Sequence, residues 1–87
     1  SWPGYTLEQG SQGPKVRQIQ EELNVIAGAY PEIPKVTEDG IYGPETEAAV
    51  RKFQSIFGLP VTGEIDYKTW YKISEIYVGV SRIAELS

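Results

Sequence analysis

Histidine, cysteine and methionine are all absent from this 87-residue sequence. Because there is no cysteine, no disulfide bond holds the fold, as in cytosolic proteins or in exported proteins of organisms that avoid disulfides. Because there is no histidine, the chain lacks the commonest general base near neutral pH and the usual zinc ligand, and it holds no Ser-His or Cys-His dyad. The common histidine-dependent hydrolytic sites are therefore excluded.

Basic residues are also scarce. The chain has 8 Lys and Arg against 12 Asp and Glu, a net charge of −4, and the basic residues are scattered along it. It offers no basic stripe for nucleic acid or anionic lipid, so we expect neither a nucleic-acid nor a membrane partner. No apolar run approaches the ~20 residues that span a bilayer, and the N-terminal residues do not resemble a signal peptide. Since the chain opens on Ser1 without an initiator methionine, we expect it to be part of a longer protein.

What the sequence does contain is typical of one small globular domain. Hydrophobic residues make up 40% and charged residues 23% of the chain, and the 9 Gly and 6 Pro occur at discrete places. Autonomous domains are usually ~50–250 residues long, so we predict a single domain over residues 1–87. We expect its core at residues 7–77, with a lead-in at residues 1–6 and a C-terminal extension or linker at residues 78–87.

A glycine-punctuated turn is repeated along the chain. Its clearest copy is Asp39–Thr46, with the sequence DGIYGPET, and it runs straight into a helical pattern. A fainter copy at Gln9–Val16 keeps both glycines and the proline, and a third at Thr62–Thr69 keeps the first glycine and the final threonine. The string VRQIQ after the first turn also resembles VRKFQ after the second. Three turn-and-helix units are therefore predicted, related either by an ancient duplication or by chance similarity.

The apolar periodicity predicts a mostly α fold, a three-helix bundle with short turn segments. The predicted helices are Pro14–Ile26, Pro44–Phe57, and Tyr67–Tyr77 or longer, with Asp66 as the cap of the third. The buried stripes comprise Val16, Ile19, Leu23 and Ile26, then Thr46, Ala49, Val50, Phe53 and Phe57, then Trp70, Ile73, Tyr77 and Val80. The water-facing side of the first helix comprises Lys15, Arg17, Glu21, Glu22 and Asn24.

Glycines are expected to mark the helix ends. Gly28 is predicted to stop the first helix, and Gly58 to end the second in a left-handed conformation. Gly79 either breaks the third helix or lies inside a longer one, since an interior glycine costs only ~1 kcal/mol relative to alanine. The segment Val61–Ile65 can pair with Lys35–Ile41 as a two-stranded ribbon that depends on the helices for its stability. The lead-in residues Trp2, Tyr5 and Leu7 are expected to lie across the bundle and cover it.

The carboxylates of the turns offer little for catalysis. A glycosidase needs two carboxylates about 5–10 Å apart in a cleft, and the available residues are Glu38, Asp39, Glu64 and Asp66. Asp66 is expected to cap a helix, Glu38 and Glu64 are surface-type residues in turns, and a bundle of this length has little room for a deep cleft. We therefore expect no catalytic residue.

A metal site is equally disfavoured. Asp39 followed by Gly40 is similar to the start of a calcium loop, but the alternating Asp or Asn ligands and the final Glu of an EF-hand are missing. We expect Asp39 to accept hydrogen bonds from turn N–H groups instead, with Gly40 and Gly43 supplying unusual backbone angles. No metal and no cofactor are expected.

Binding is the role that remains. Each turn points backbone N–H groups out of a helix N-terminus, where carboxylates and acetamido carbonyls bind favourably. Tyrosines near such turns offer flat faces on which sugar rings stack. Tyr67 and Tyr71 lie off the buried stripe and are expected to be exposed, whereas Tyr42 belongs either to the core or to the site. Gln20 and Gln54 either bridge helices or line a groove. The candidate ligand-binding residues are Asp39, Tyr42, Tyr67, Tyr71, Gln20 and Gln54.

Motifs along nearly the whole chain resemble one known family. They comprise Leu7, Gly10-Ser11, Gly13-Pro14, Val16, Ile19-Gln20 and Leu23, then the Asp39–Thr46 turn, Ala48-Ala49-Val50, Phe53-Gln54, Gly58-Leu59-Pro60, Thr62-Gly63 and Thr69-Trp70. In this order they are similar to the peptidoglycan-binding domain of the three-helix type, over Leu7 to about Ile76. Each glycine pair alone is a weak signal, and the combined pattern is specific.

The resemblance implies a non-catalytic module that binds peptidoglycan, through its glycan or its stem peptide, and holds an attached hydrolase on the murein. It also implies an extracellular location, in the cell wall or spore envelope of a bacterium, as a monomeric unit of a larger multidomain chain. One departure concerns the third turn, where Thr62 and Asp66 replace the Asp and second Gly of many family members. Ligand contacts carried by that turn are therefore not expected to transfer.

Two alternatives belong to another functional class. A similar fold occurs in the propeptides of matrix metalloproteases, where a cysteine caps the zinc, and a chain without cysteine cannot act in that way. The other alternative is a protein-interaction or spacer module without murein affinity in a multidomain wall protein. In that case Tyr67 and Tyr71 would contact a neighbouring domain.

Overall fold

Three helices carry the fold, as the periodicity predicts. The computed structural model describes the backbone of residues 1–86 and the side chains of residues 1–82. Its helices are α1 (Pro14–Ala29), α2 (Pro44–Ile56) and α3 (Tyr67–Leu86). α1 packs more extensively against α3 than against α2. None of these described helices is long and apolar enough to cross a membrane.

Pro31 decides where α1 ends, and the expectation that Gly28 stops it is wrong. The helix continues through Gly28 to Ala29, and the N–H of Tyr30 still donates to the Ile26 carbonyl at 2.9 Å. The residue before a proline is driven from helical to extended geometry. Tyr30 accordingly has φ −127° and ψ 79°, and the helix cannot pass it.

Gly58 ends α2 in the predicted way. It adopts φ 73°, directly after the C-cap residue Phe57. This left-handed turn lets the N–H of Leu59 donate to the Gln54 carbonyl at 2.9 Å, so that a carbonyl of the last helical turn is satisfied.

α3 is one continuous helix. Asp66 caps its start as predicted, because Asp66 Oδ1 accepts the N–H of Thr69 at 2.9 Å. The helix passes Gly79 without a break and continues to Leu86, which resolves the alternative left open by the sequence. The apolar pattern at Ile83 and Ala84 lies beyond the side chains that the structure describes.

The N-terminal segment, rather than a local ribbon, pairs with both later turns. Leu7 and Ile65 exchange two backbone hydrogen bonds, at 3.0 and 2.8 Å, and Gln12 forms an antiparallel bridge with Ile41. The predicted ribbon between residues 61–65 and 35–41 is therefore wrong. Leu7 is buried, with 1% of its surface exposed, so the extended segment enters the core and takes the hydrogen-bonding edge of each turn.

The core follows the predicted stripes with few exceptions. Its members on the helices are Val16, Ile19, Leu23, Ile26 and Ala27, then Ala49, Val50 and Phe53, then Trp70 and Ile73. Phe57, Tyr77 and Val80 are only half-buried, and Tyr5 is 57% exposed instead of covering the bundle. Glu22 was expected to face water but is 8% exposed, because it lies three residues after Ile19 on the flank of the buried stripe.

Candidate functional site

Gln20, on α1, is buried beneath the central turn and holds it by hydrogen bonds. Its Nε2 donates to Asp39 Oδ1 at 3.1 Å, to the Ile41 carbonyl at 2.9 Å and to Thr46 Oγ1 at 3.0 Å. Its Oε1 accepts the N–H of Gly40 at 2.8 Å. One amide side chain thus connects α1 to the turn and to the first residues of α2.

Gln54, on α2, has the same relation to the third turn. Its Nε2 donates to Thr62 Oγ1 at 3.1 Å, to the Glu64 carbonyl at 2.9 Å and to Thr69 Oγ1 at 3.1 Å. Its Oε1 accepts the N–H groups of Thr62 and Gly63, each at 3.0 Å. The side chain connects α2 to the turn and to the start of α3.

The two networks correspond position by position, so the repeat seen in the sequence is a repeat of hydrogen bonding. The matched partners are Asp39 with Thr62, Gly40 with Gly63, Ile41 with Glu64, and Thr46 with Thr69. Gln20 and Gln54 are 0% and 1% exposed. Of the two roles left open for these glutamines, the structure therefore shows the bridging one, and it places both side chains beneath the turns.

Tyr42 is also placed inside the molecule. Its side chain is 1% exposed, and its hydroxyl donates to the Gly63 carbonyl at 2.6 Å. Burial raises the pKa of Tyr42 far above its ordinary value, with smaller contributions from Glu47 and Glu64. This phenol links the central turn to the third turn and stays protonated at any physiological pH.

Glycine is required at two of the turn positions. Gly40 and Gly63 adopt φ 74° and 76°, a region that favours glycine. A Cβ on Gly40 would lie 3.2 Å from the Gly13 carbonyl oxygen, and one on Gly63 would lie 2.8 Å from Glu47 Cγ. Gly43 was expected to have unusual backbone angles as well, and this is wrong, because its φ of −111° is ordinary extended geometry.

Asp39 is the candidate residue of the central turn that stays at the surface. Its Oδ1 accepts the N–H of Ile41 at 3.0 Å in addition to the bond from Gln20. These two bonds, that from Ile41 first, hold the pKa of Asp39 below its ordinary value. Within the described residues only Oδ1 is hydrogen-bonded, so the ionised Oδ2 is available to a ligand.

An open groove lies beside Asp39, where α1 begins next to the central turn. Its volume is about 510 Å³. The residues that line it are Gln12, Gly13, Pro14, Arg17, Asp39, Gly40 and Ile41. The side chain of Ile41 is 54% exposed, so the groove combines an apolar surface with a cation and a carboxylate.

Electrostatics at the start of α1 favour a negatively charged or carbonyl-bearing ligand. No side chain within residues 1–82 caps α1 and no acidic residue occurs in its first turn, whereas α2 has Glu45 and Glu47 there. Arg17 pairs with Glu21 at 3.2 Å, but both side chains are at least half exposed, and such pairs are weak. The guanidinium of Arg17 is therefore free to exchange Glu21 for a ligand group at little cost.

Sequence reasoning found only Asp39 of the groove. It assigned Arg17 to the water-facing side of a helix and did not consider Gln12 or Ile41 as site residues. The sequence does contain a signal for Arg17, which is a cation in the first turn of a helix that has no acidic residue there. The pairing of Gln12 with Ile41, both of which line the groove, could not be read from the sequence.

Tyr67 and Tyr71 lie on α3, apart from the groove. They are 61% and 42% exposed, as their position off the buried stripe predicts. Trp70 is 1% exposed and belongs to the core, also as predicted. The structure thus separates the six candidates into three exposed residues and three buried ones, and it does not bring all six together.

The described residues contain no cluster of carboxylates suited to a metal ion. No group of three or more Asp or Glu side chains within residues 1–82 lies close enough to hold one. Asp66 caps α3 and Glu47 pairs with Arg51 at 2.9 Å, so the carboxylates near the turns have structural partners.

Comparisons with known proteins relate these features to one family. The family model of the peptidoglycan binding domain matches residues 12–73, a range that includes the groove and both glutamine networks. The zinc D-Ala-D-Ala carboxypeptidase of Streptomyces albus G is 39% identical over 76 residues, which cover 87% of this chain and 28% of the carboxypeptidase. The chain therefore spans less than a third of the length of that relative.

Two solved structures share the fold. The crystal structure of the SleB N-terminal domain superposes with a TM-score of 0.75 at 28% identity, over 88% of this chain and 99% of that one. A fused Zn-dependent amidase/peptidase and peptidoglycan-binding domain-containing protein from Clostridium acetobutylicum ATCC 824 gives a TM-score of 0.70 at 30% identity, over 79% of this chain and 28% of that one. In each case the match is to one domain, the N-terminal domain of SleB or one part of the fused protein.

Proposed function

This chain belongs to the peptidoglycan-binding domain family, and we propose on that premise that it binds bacterial peptidoglycan and holds an attached wall hydrolase on the murein. We propose further that the module itself has no catalytic activity. Its place would be outside the cell, in the wall or spore envelope, as a monomeric unit of a multidomain chain. The family match over residues 12–73 supports the binding role, and the similarity to one part of a larger carboxypeptidase supports the role as a module.

The groove at the start of α1 is the observation that carries the proposal. It is formed by two segments distant in sequence and lies within the family match. Gln20 lies beneath the turn and hydrogen-bonds to Asp39 and Gly40. These bonds hold one wall of the groove in place. A preformed groove loses little conformational entropy when a ligand binds.

The chemistry of the groove fits the stem peptide of murein. Arg17 can pair with a peptide carboxylate, and Asp39 Oδ2 can accept from a peptide N–H or an amine. Uncapped amides at the start of α1 suit a carboxylate or an amide carbonyl. The exposed Ile41 offers an apolar contact for alanine methyl groups.

A spacer module without murein affinity is the weaker alternative. A spacer needs no preformed groove that contains both a cation and a carboxylate. It would also leave the positive end of the α1 helix dipole without a ligand. The relatives whose names state an activity are murein-directed enzymes, among them a D-Ala-D-Ala carboxypeptidase and an N-acetylmuramoyl-L-alanine amidase. Both observations favour binding.

Co-sedimentation with purified murein tests the proposal directly. The 87-residue chain is expected to pellet with murein and to remain in the supernatant without it. If the chain stays soluble with murein at both low and moderate salt, the proposed function is wrong. Measuring hydrolysis of the same murein in the same samples tests the absence of catalysis.

Substitution of Arg17 tests the groove. Arg17→Gln removes the cation, loses only an exposed ion pair, and is expected to weaken murein binding by roughly three- to tenfold, the loss typical of one charge-assisted contact. Lys52→Gln is the matched control, because Lys52 is an exposed cation on α2 and is not part of the groove. Equal affinity of the two variants would place the site elsewhere.

A further inference from the structure

Two tyrosines in ring contact form an exposed surface on the first two turns of α3. The rings of Tyr67 and Tyr71 lie with their centroids 4.8 Å apart and their planes inclined by 50°. They are one helical turn apart, and both are substantially exposed, by 61% and 42%. Aromatic side chains left at the surface in contact with each other form an apolar area that a ligand can cover.

Trp2 holds this pair in place. Its ring meets Tyr67 edge-on at 6.1 Å and 71°, and it meets the buried Trp70 at 6.1 Å and 73°. Lys15 contacts both the lead-in and Trp70. Its Nζ donates to the Ser1 carbonyl at 3.0 Å and lies 5.6 Å from the centre of the Trp70 ring. We call the surface formed by Trp2, Tyr67 and Tyr71 the aromatic platform.

The fold does not require tyrosine at these positions. The core contacts of this part of α3 are made by Trp70 and Ile73, which are 1% and 0% exposed. Tyr42 shows what a structural tyrosine does here, since it is buried and its hydroxyl is bonded to a carbonyl. The hydroxyls of Tyr67 and Tyr71 make no hydrogen bond to any described residue, so both are available to a ligand.

The area of the platform indicates the size of its ligand. A tyrosine buries ~150–250 Å² when fully covered, so these two rings at their observed exposures offer roughly 200 Å² together. A stable protein–protein interface needs about 800 Å² per partner. Charged residues adjoin the rings, among them Lys68, and Lys72 paired with Glu75 at 3.3 Å, and they restrict the spread of an apolar interface. The platform is thus too small for a neighbouring domain and large enough for one or two sugar rings.

We propose that the aromatic platform binds the glycan strand of murein by stacking an N-acetylhexosamine ring on Tyr67 and Tyr71; this inference rests on the proposed function. The C–H face of a pyranose is apolar and matches the flat face of an exposed tyrosine ring, while its hydroxyl and acetamido groups bond to the free phenol hydroxyls. The platform is separate from the groove, and both involve the first residues of α1, since Arg17 lines the groove and Lys15 lies over Trp70, which Trp2 contacts. The domain thus contacts peptide in the groove and glycan on the platform.

A glycan ligand without peptide tests binding at the platform separately from binding in the groove. The ¹H–¹⁵N spectrum of the 87-residue chain is recorded during titration with a soluble N-acetylglucosamine oligomer. The amides of Tyr67 and Tyr71 and the indole N–H of Trp2 are expected to shift, while the amides of Asp39 and Gly40 remain in place.

The double variant Tyr67→Ala/Tyr71→Ala is expected to lose the oligomer shifts and to bind murein about tenfold more weakly, the loss expected for two stacking contacts. Tyr5→Ala is the matched control, since Tyr5 is a 57% exposed tyrosine in the same lead-in as Trp2 and stacks on no described aromatic ring. Its murein affinity and oligomer shifts are expected to equal those of the unaltered chain. Melting curves check that both variants are folded, and the native titration decides the inference if the double variant is not.

The experiments distinguish failure of the platform proposal from failure of the proposed function. Murein binding that is unchanged in the double variant, or an oligomer titration of the native chain without shifts at the platform, overturns the platform and leaves the proposed function intact. Failure of the native chain to sediment with murein overturns the proposed function, and the oligomer titration then still decides whether the platform binds a glycan.

Discussion

Among single residues, the buried glutamines contribute most to the arrangement of the turns. Gln20 and Gln54 each donate and accept at once, and glutamine is a side chain that can do both through one amide. A carboxylate could not donate to the turn carbonyls, and an apolar residue would leave the turn N–H groups unpaired. Removing a partner from a buried polar group costs more than the hydrogen bond itself contributes.

Gln54→Ala is expected to lower the free energy of unfolding by about 2–4 kcal/mol, because the N–H groups of Thr62 and Gly63 and the Glu64 carbonyl lose their partner. Urea denaturation followed by circular dichroism measures the change. Gln12→Ala, at an exposed glutamine, is expected to change the same quantity by less than about 0.5 kcal/mol. Equal destabilisation in the two variants would mean that the network is not what holds the turn.

Burial of the Glu22 carboxyl group disfavours its ionised form and so costs free energy near neutral pH. The side chain is 8% exposed, Oε1 has no hydrogen-bond partner among the described residues, and Oε2 accepts from Gln18 at 3.1 Å. Burial raises the pKa of Glu22 above its ordinary value of 4.5, against smaller lowering effects of Gln18 and the N-terminal ammonium group. The folded state therefore binds the Glu22 proton more tightly than the unfolded state does.

This raised pKa predicts that stability falls as pH rises. The contribution of Glu22 is fully present below pH 4.5 and is lost as pH rises through its raised folded-state pKa. Glu22→Gln is expected to remove that part of the pH dependence and to be more stable than the unaltered chain at pH 7. Thermal unfolding from pH 4 to 8 measures this, with the exposed Glu21→Gln as control. A variant less stable than the parent at pH 7 would contradict the assignment.

At the scale of elements, the turns determine how the helices are placed. The central and third turns both contain a left-handed glycine, and both are paired with the extended N-terminal segment through Gln12 or Leu7. The three helices are therefore joined through their turns as well as through their apolar faces. This explains how a core of this size is held together without disulfide bonds.

Gly63→Ala and Gly28→Ala compare a glycine in a turn with a glycine in a helix. At Gly63, the φ of 76° and the 2.8 Å approach to Glu47 Cγ predict destabilisation by about 1–3 kcal/mol. Gly28→Ala is the control, because Gly28 is helical and a Cβ there meets no described atom within 4 Å, so it is expected to stabilise by about 0.5–1 kcal/mol. Melting temperatures should shift in opposite directions, and a shift in the same direction would contradict this account.

At the scale of the whole molecule, charge works against binding to anionic polymers. The net charge is −4, and Arg17 and Asp39 in the groove offset each other. The proposed recognition of murein by the groove and the exposed tyrosines would depend on local hydrogen bonds and contact area more than on long-range attraction.

Murein affinity is therefore expected to change by less than about threefold between low and moderate salt, since only exposed long-range charges are strongly screened. Co-sedimentation at a series of sodium chloride concentrations gives the affinities. Arg17→Gln, which lacks the one cation of the groove, is expected to reduce even this small salt dependence. Binding that collapses steeply with salt would show that charge drives it.

Much of this molecule could be predicted from its sequence, because the features concerned are local. The spacing of Val16, Ile19 and Leu23 was enough to place a buried helix face, and Gly58 and Asp66 marked a helix end and a helix start. The repeated glycine turns pointed to the family that the comparison over residues 12–73 shows. Helical periodicity, capping and left-handed glycines depend on neighbours a few residues away, so short stretches of sequence determine them.

Only the tertiary structure decided which polar and aromatic residues are at the surface. Tyr42, Gln20 and Gln54 read equally well as site or interior, and the packing of the turns buried all three. The groove and the aromatic platform are each made by segments distant in sequence, Gln12 with Ile41 and Trp2 with Tyr67. Such surfaces arise from the pairing of an extended segment with later turns and helices, and contacts of that range leave no periodic pattern in the sequence.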